Sequence, residues 1–402
     1  MHLAIVSPYP PSITGIGQYG YHISRLLANC GGFSKITVLH GLAETPLELP
    51  DPGLFSTPLT KIAGWQPGRW NSGGKITASL RALKPDMVWF NLGVSIFGRS
   101  PFSNLSGFLS VSWAHAVGLP TIVTLHELPE LADLRALKAP GGALSLYGAR
   151  LLTILATRAD VVCLTMQRYV EWLAAHRSGP HYLHITTTAY HPLRRLPEPS
   201  APELLFFSTF APFKGLETLL EAFCILRREF PALRLTVAGA KHARFPDYPQ
   251  QIKAKYADLT GVDWQGQVAE SDICGLFQRS RIVVLPYLAS TGSSSVLIQA
   301  SAWGRSLVVS DLDEIRSVVS EHGLEVTYFQ RGQVSELAQA LKIQLSSDER
   351  SRLQVEHNLA ALARRSPESL CQAYLHAFDL ALTAKRSLKR IAAPQPLPPR
   401  GV

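Results

Sequence analysis

The chain has 402 residues, long enough for two domains with a full core each, and 46% hydrophobic with 17% charged residues is the make-up of a soluble globular protein. Its five cysteines (Cys30, Cys163, Cys224, Cys274, Cys371) are odd in number, isolated and mostly inside apolar runs, which argues against a disulfide framework or a zinc site and fits a reducing cytoplasm. A formal net charge of +9 calls for an acidic partner without saying which.

The first predicted element is a strand from Leu3 to Ser7, too short and too poor in basic residues to be a secretory signal, and broken by Pro8. A proline-rich turn and the glycine loop Gly15-Ile16-Gly17-Gln18-Tyr19-Gly20 follow, then a helix marked by Ile23, Leu26 and Leu27. After a strand at Ile36 to His40 comes the densest basic and aromatic stretch before the C-terminus: Lys61, Trp65, Arg69, Trp70, Lys75, Arg81 and Lys84. Anionic lipid headgroups are one target for it, and a solvated helix and loop is the plain alternative. No nucleic-acid motif accompanies the charge.

A strand at Met87 to Asn91 precedes residues 102–125, which contain no Asp, Glu, Lys or Arg. The turn Gly118-Leu119-Pro120 splits this run into a helix of about 15 residues and the strand Thr121 to Leu125, each short of the roughly 20 helical residues that cross a bilayer, so no transmembrane segment is expected. Strands at Asp160 to Thr165 and Tyr182 to Ile185 complete an alternation of strands and helices that implies βαβ units and a parallel sheet.

Four prolines (Pro192, Pro197, Pro199, Pro202) mark a linker. A second alternating series follows, with strands at Leu204 to Phe207, Leu235 to Ala238, Val262 to Trp264, Ile282 to Leu285 and Leu307 to Val309. Ser366 and Pro367 then begin a helix with Leu370, Tyr374, Phe378 and Ala381 on one face, and the proline-rich end is expected to be disordered.

Chemistry concentrates between residues 281 and 311. A strand runs through Pro286 into the bend Thr291-Gly292-Ser293-Ser294-Ser295 and then a helix through Gln299. Gly292 allows a turn without a Cβ, and serines at a helix start offer N–H groups and hydroxyls to an anion, most simply a diphosphate. A serine-capped helix in an ordinary α/β domain is the competing interpretation. Gly15 to Gly20 satisfies the letter of a dinucleotide fingerprint, yet a long turn separates Ser7 from Gly15 and the second strand ends at His40 rather than at an acid, against a nicotinamide or flavin enzyme.

Five motifs in order carry a resemblance to the retaining glycosyltransferases of family 4, which have the GT-B fold. They are Pro10-Pro11 before Gly15 and Gly17; Thr124-Leu125-His126-Glu127; Ala159-Asp160-Val161-Val162; Phe213-Lys214-Gly215-Leu216; and Ala300-Ser301-Ala302-Trp303-Gly304-Arg305. The resemblance covers nearly the whole chain. It implies two doubly wound Rossmann-like domains facing a cleft: an acceptor-binding domain at 1–191, a linker at 192–202, a nucleotide-sugar-binding domain at 203–365, a helix at 366–386 crossing back to the first domain, and a tail at 387–402.

It further implies a cytoplasmic enzyme, peripheral on the membrane's inner face if its basic stretch binds lipid. The enzyme would transfer a sugar from a nucleotide diphosphate sugar to a glycan or lipid-linked acceptor, in cell-envelope polysaccharide or glycolipid assembly, with retention and without cofactor or metal. Lys214 matches the family's phosphate-binding lysine and His126 the histidine that positions the donor sugar. Gly15, Gly17, Thr209, Thr291, Gly292, Ser293, Ser294, Ser295 and Gln299 fall at donor-binding positions. The family usually has glutamates where this chain has Thr291 and Gln299, and an arginine where it has Thr209. This reduced charge leaves open a GT-B scaffold that binds a nucleotide, or a partner glycosyltransferase, without catalysis.

Overall fold

The computed structural model describes residues 1–10, 14–41, 55–138, 142–199 and 202–392, without the side chains of 142–144 and 388–392. The first half forms an all-parallel sheet of β1 (His2–Val6), β2 (Lys35–Gly41), β3 (Leu59–Trp65), β4 (Met87–Leu92), β5 (Thr121–Leu125), β6 (Val161–Leu164) and β7 (His181–His184), in the order β3-β2-β1-β4-β5-β6-β7. The second half repeats the plan with β8 (Glu203–Phe207), β9 (Arg234–Ala238), β10 (Val262–Gly266), β11 (Ile282–Leu285), β12 (Ser306–Ser310) and β13 (Thr327–Phe329), in the order β10-β9-β8-β11-β12-β13. Every residue of the central strands β4, β5 and β11 is buried and most are apolar, as expected of strands covered on both faces.

Helices α1 (Gly15–Cys30), α2 (Ser72–Leu83), α3 (Pro101–Ala116), α4 (Gly142–Ala156) and α5 (Gln167–His176) belong to the first half. To the second belong α6 (Leu216–Leu226), α7 (Tyr248–Lys255), α8 (Ile273–Arg279), α9 (Ser295–Ala302), α10 (Asp313–His322), α11 (Val334–Ser346) and α12 (Asp348–Ala363). The last helix, α13 (Pro367–Ala392), returns to the first sheet, where Leu370, Tyr374, Phe378 and Ala381 share a core with Leu3, Ile5, Trp89, Ile122 and the apolar face of α1. Lys385 of α13 fixes the crossing: its Nζ lies 3.2 Å from Asp160 Oδ1 and donates to the His115 carbonyl at 2.9 Å. Asp160 Oδ2 in turn accepts from the Thr121 amide at 2.8 Å.

In each sheet the strand order reverses once, between β1 and β4 and between β8 and β11. Connections leave the carboxyl ends of those pairs in opposite directions, opening a crevice where doubly wound sheets bind ligands.

The structure departs from the sequence reading at several points. Strands β3 and β13 were not anticipated; both are edge strands, one interrupted by Lys61 and Gly64, the other three residues long. The expected loop Gly15 to Gly20 is the first turn and a half of α1, because Thr14 Oγ1 accepts the Gly17 amide at 2.9 Å and caps the helix there. Helix α13 continues through residues 387–392, placed in the tail by the sequence; the tail from 393 onward lies outside the described residues. Cys30 and Cys371 are joined as a disulfide, with Cα atoms 6.9 Å apart, linking the ends of α1 and α13. Isolation along the sequence concealed a pairing made by the return of the last helix. Trp65 is buried against Phe97, so it is no part of a surface basic and aromatic patch.

Candidate active site

At the first switch point a chain of hydrogen bonds leads to His126. Ser7 Oγ donates to the Pro8 carbonyl at 2.6 Å, and the Asn91 amide donates to Ser7 Oγ and to the Ile16 carbonyl, both at 2.9 Å. With both its protons committed, Asn91 presents Oδ1 to His126 Nε2 at 2.6 Å. The imidazole must therefore carry its proton on Nε2, leaving Nδ1 as an acceptor. Burial lowers the His126 pKa to about 3, so the ring is neutral at ordinary pH. Tyr19 packs edge-on at 4.7 Å and is held by the buried chain Tyr19, Tyr374, Thr124. Helix α1 can pass this close only because residue 20 is glycine: a Cβ there would strike Ser7 Oγ.

The opposite wall is built at the second switch point. The 3-10 turn Pro212–Lys214 docks on the segment after β11, where the amides of Leu288 and Ala289 both donate to the Phe213 carbonyl, at 2.8 and 3.2 Å. Gly215 has φ 68°, and a Cβ would collide with the Pro286 carbonyl, so this tight turn requires glycine. Lys214 is thereby laid beside the serine bend, its Nζ 3.8 Å from the Tyr287 ring centre. Tyr287 is held by Ser208 Oγ at 3.2 Å, and Thr209 is the next residue along.

Arg99, Lys214 and Arg244 surround His242, whose pKa falls to about 4 through burial and these three cations. Among the described residues none of the three forms an ion pair with a carboxylate, though Arg244 donates to the carbonyls of Leu137 and Lys138 and lies in the field of Glu127. The bend itself ends at the N-terminus of α9. Among the described residues the amides of Ser293 and Ser294 and all three serine hydroxyls (293–295) have no protein partner. Gln299 is 6% exposed, and its side-chain amide likewise bonds to no described group, yet it is not sealed from solvent. Free donors at the N-terminus of α9 are an arrangement able to receive an anion.

The two walls touch. A Cβ at residue 292 would lie 2.6 Å from the His126 carbonyl oxygen, so Gly292 is needed here for close approach rather than for an unusual turn. Thr291 Oγ1 donates to Glu127 Oε1 at 3.1 Å, Glu127 Oε2 accepts the Val94 amide at 3.2 Å, and Tyr169 donates to the Thr291 carbonyl at 2.9 Å. A second contact joins α1 to the second half: Gln18 and His22 donate to the two oxygens of Glu270, at 2.8 and 3.0 Å, with His191 Nε2 at 3.8 Å. Burial would raise the Glu270 pKa, but its histidine neighbours and Gln18 outweigh that and hold it well below the usual carboxylate range. Among the described residues His22, His191 and Glu270 are the one cluster with the composition to hold a metal ion.

The structure thus brings Thr291 and Gly292 against Glu127 and His126, with the three serines following and Gln299 one turn into α9, while Lys214 lies over Tyr287 on the segment that leads into the bend. Gly15 sits exposed at the start of α1, with open space around its Cα. Gly17 is buried, its amide already used by Thr14, so it does not keep a turn open for a ligand. The sequence reading gave no role to Asn91, Glu127 or Arg244. Glu127 follows His126 directly and could have been suspected; Asn91 and Arg244 become visible only once strands and loops are placed.

Residues 201–347 match the family described as Glycosyl transferases group 1. A phosphatidyl-myo-inositol mannosyltransferase of Mycolicibacterium smegmatis is 27% identical over 111 residues, a stretch spanning 27% of each chain. The fold is that of sucrose-phosphate synthase from Thermosynechococcus elongatus, with a TM-score of 0.72 at 14% identity over 96% of this chain and 100% of that one. The Anabaena protein Alr3699/HepE, solved in complex with UDP and glucose, superposes with a TM-score of 0.67 at 17% identity, over 94% of this chain and 99% of that one. The architecture is GT-B, and the family match lies in its second half.

Proposed function

We propose that the protein transfers a sugar from a nucleoside diphosphate sugar to a hydroxyl of a glycan or lipid-linked acceptor, with retention at the anomeric carbon and without a metal in the chemistry, in the assembly of a cell-envelope glycan or glycolipid. One observation carries the reading: the bend, whose serine amides have no protein partner, closes directly on His126, a neutral histidine whose tautomer is fixed. The complex of the Anabaena neighbour with UDP and glucose supports this donor class, and the mannosyltransferase relative supports a lipid acceptor.

In this reading the bond from the anomeric carbon to the β-phosphate oxygen breaks and its electron pair leaves with the diphosphate. The bend amides and Lys214 bear the charge that develops there. His126 Nδ1 accepts from a donor-sugar hydroxyl and holds the ring, and Gln299 receives ribose hydroxyls. The acceptor oxygen bonds to the same face of the anomeric carbon, and its proton passes to the departing phosphate oxygen. Glu127 supplies a carboxylate beside Thr291, from the opposite half of the molecule.

A second reading, a nucleotide-binding subunit without turnover, is favoured by Thr209, Thr291 and Gln299 standing where charged residues are usual. A thermal-shift panel of nucleotides and nucleotide sugars followed by transfer assays separates the two. Turnover abolished by Lys214→Ala and by His126→Ala supports the enzyme. Stabilisation by a nucleoside diphosphate without turnover across donors and acceptors supports the subunit, and no nucleotide binding refutes both.

A further inference from the structure

Helices α2, α3 and α4 lie side by side on one face of the first sheet, burying Ile76, Leu80, Phe108, Val111, Leu152 and Ala156 in a common core with β4 and β5. Their outward sides are unlike those of a helix facing water. None of the three contains an aspartate or glutamate. Tyr147, Leu151 and Ile154 recur at helical spacing along the outside of α4, and Phe102 and Leu109 lie seven residues apart on α3; all five are exposed, Phe102 by 73% and Tyr147 by 66%. Trp70, just before α2, is 76% exposed.

Cations accompany them. Lys75 and Arg81 on α2 and Arg150 on α4 are exposed, as are Arg69, Lys84 and Arg158 at the helix ends, and Arg81 lies over Trp113 of α3 at 5.1 Å. No described helix is long and apolar enough to cross a bilayer, so contact made by this face would be superficial.

We infer that the outer face of α2, α3 and α4 docks on an anionic membrane, with Phe102, Leu109, Tyr147, Leu151 and Ile154 entering the headgroup boundary and Lys75, Arg81 and Arg150 on lipid phosphates. Aromatic and aliphatic side chains interspersed with cations, and free of acids, complement a negatively charged interface. A protein groove would leave the cations to find matching carboxylates. The face differs from the stretch the sequence suggested: Trp65 has left it, and α3 and α4 supply its apolar part. Its helices are continuous with the site. The loop after β4 carries Val94 and leads to α3, and the loop after β5 carries His126 and Glu127 and leads to α4. A lipid-borne acceptor would thus be met by the half of the crevice nearest the membrane.

The inference is independent of sugar transfer, since vesicle binding is read without substrate. The test is co-sedimentation of the full chain with vesicles of phosphatidylcholine alone and of phosphatidylcholine with phosphatidylglycerol in equal parts, at about 0.1 M and about 1 M salt. Expected are binding to the anionic vesicles alone, loss at high salt, and affinity lowered about tenfold or more by Arg150→Glu and by Tyr147→Glu combined with Leu151→Glu. Lys253→Glu on α7 should change nothing, and unaltered circular dichroism and thermal melting certify the folds. No sedimentation, equal sedimentation with neutral vesicles, or indifference to both variants overturns the inference. So does a concentration-dependent dimer that the same variants dissolve without any vesicle binding, which would give the face to a second copy.

Discussion

Replacing Gly292 by alanine tests whether the two walls work in contact. The residue has no left-handed φ, so alanine carries no conformational strain there, and the cost of the change comes from the contact alone, about 1–3 kcal/mol as is usual for overpacking. Its Cβ would nevertheless lie 2.6 Å from the His126 carbonyl, where ordinary contact begins at 3.4 Å; 3.4 − 2.6 leaves 0.8 Å to be found by parting the walls. Both partners are backbone, so no side chain can rotate away. A displacement on the order of 1 Å between groups that hold one substrate costs up to about 100-fold in rate. The expected outcome is kcat/KM for donor turnover reduced about 10- to 100-fold together with a lowered Tm, while Gly148→Ala, in open space within α4, leaves kcat/KM as it was and raises Tm slightly through helix propensity. Unchanged kcat/KM in Gly292→Ala would refute the contact as a feature of the working enzyme.

Lys214→Ala should lower kcat/KM by about 10²- to 10³-fold, the usual cost of losing one group that stabilises developing charge, without altering the melting temperature by more than a few degrees. Steady-state kinetics beside calorimetry reads both. The neutral state of His126 predicts acid sensitivity of a definite sign: its folded pKa lies below the unfolded value of 6.5, so its contribution to stability is complete above pH 6.5 and drains away as pH falls toward about 3, at up to about 1.4 kcal/mol per unit. Denaturation midpoints measured across that window should fall less steeply in His126→Gln than in the wild type, and parallel slopes would contradict the assignment. Arg305, 2% exposed, donates to the carbonyls of Leu196, Pro197, Gly304, Phe277 and Gln278 and so binds the linker to the second half. Arg305→Met should cost about 3–5 kcal/mol in urea unfolding because those carbonyls lose a charged donor in a dry setting.

What could be read from the sequence was whatever periodicity and turn chemistry encode locally. Thr121–Leu125 and Ile282–Leu285 have the expected ends because their apolar runs are bounded by Pro120, Pro286 and polar residues. His126 directly follows such a strand, the serine bend opens a helix a short loop after one, and Lys214 could be named because its motif matches the family resemblance. The purpose of a glycine was less accessible: Gly15 and Gly17 look like loop residues yet begin a helix, whereas Gly20 and Gly292 are set by neighbours distant in sequence. Asn91 gave no local sign, since its meaning depends on Ser7 and His126 lying on adjoining strands. The cysteine pair and the Glu270 contact were hidden for the same reason: each joins segments that only the tertiary fold brings together.

The return of α13 also bears on how the protein is made. One face of the opening sheet is covered by Leu370, Tyr374 and Phe378, which leave the ribosome after the entire second sheet. Until then Leu3, Ile5, Trp89 and Ile122 lack their lid, so the nascent first half needs shelter during translation. An N-terminal fragment prepared alone would inherit that bare greasy surface unless the final helix were grafted back onto it.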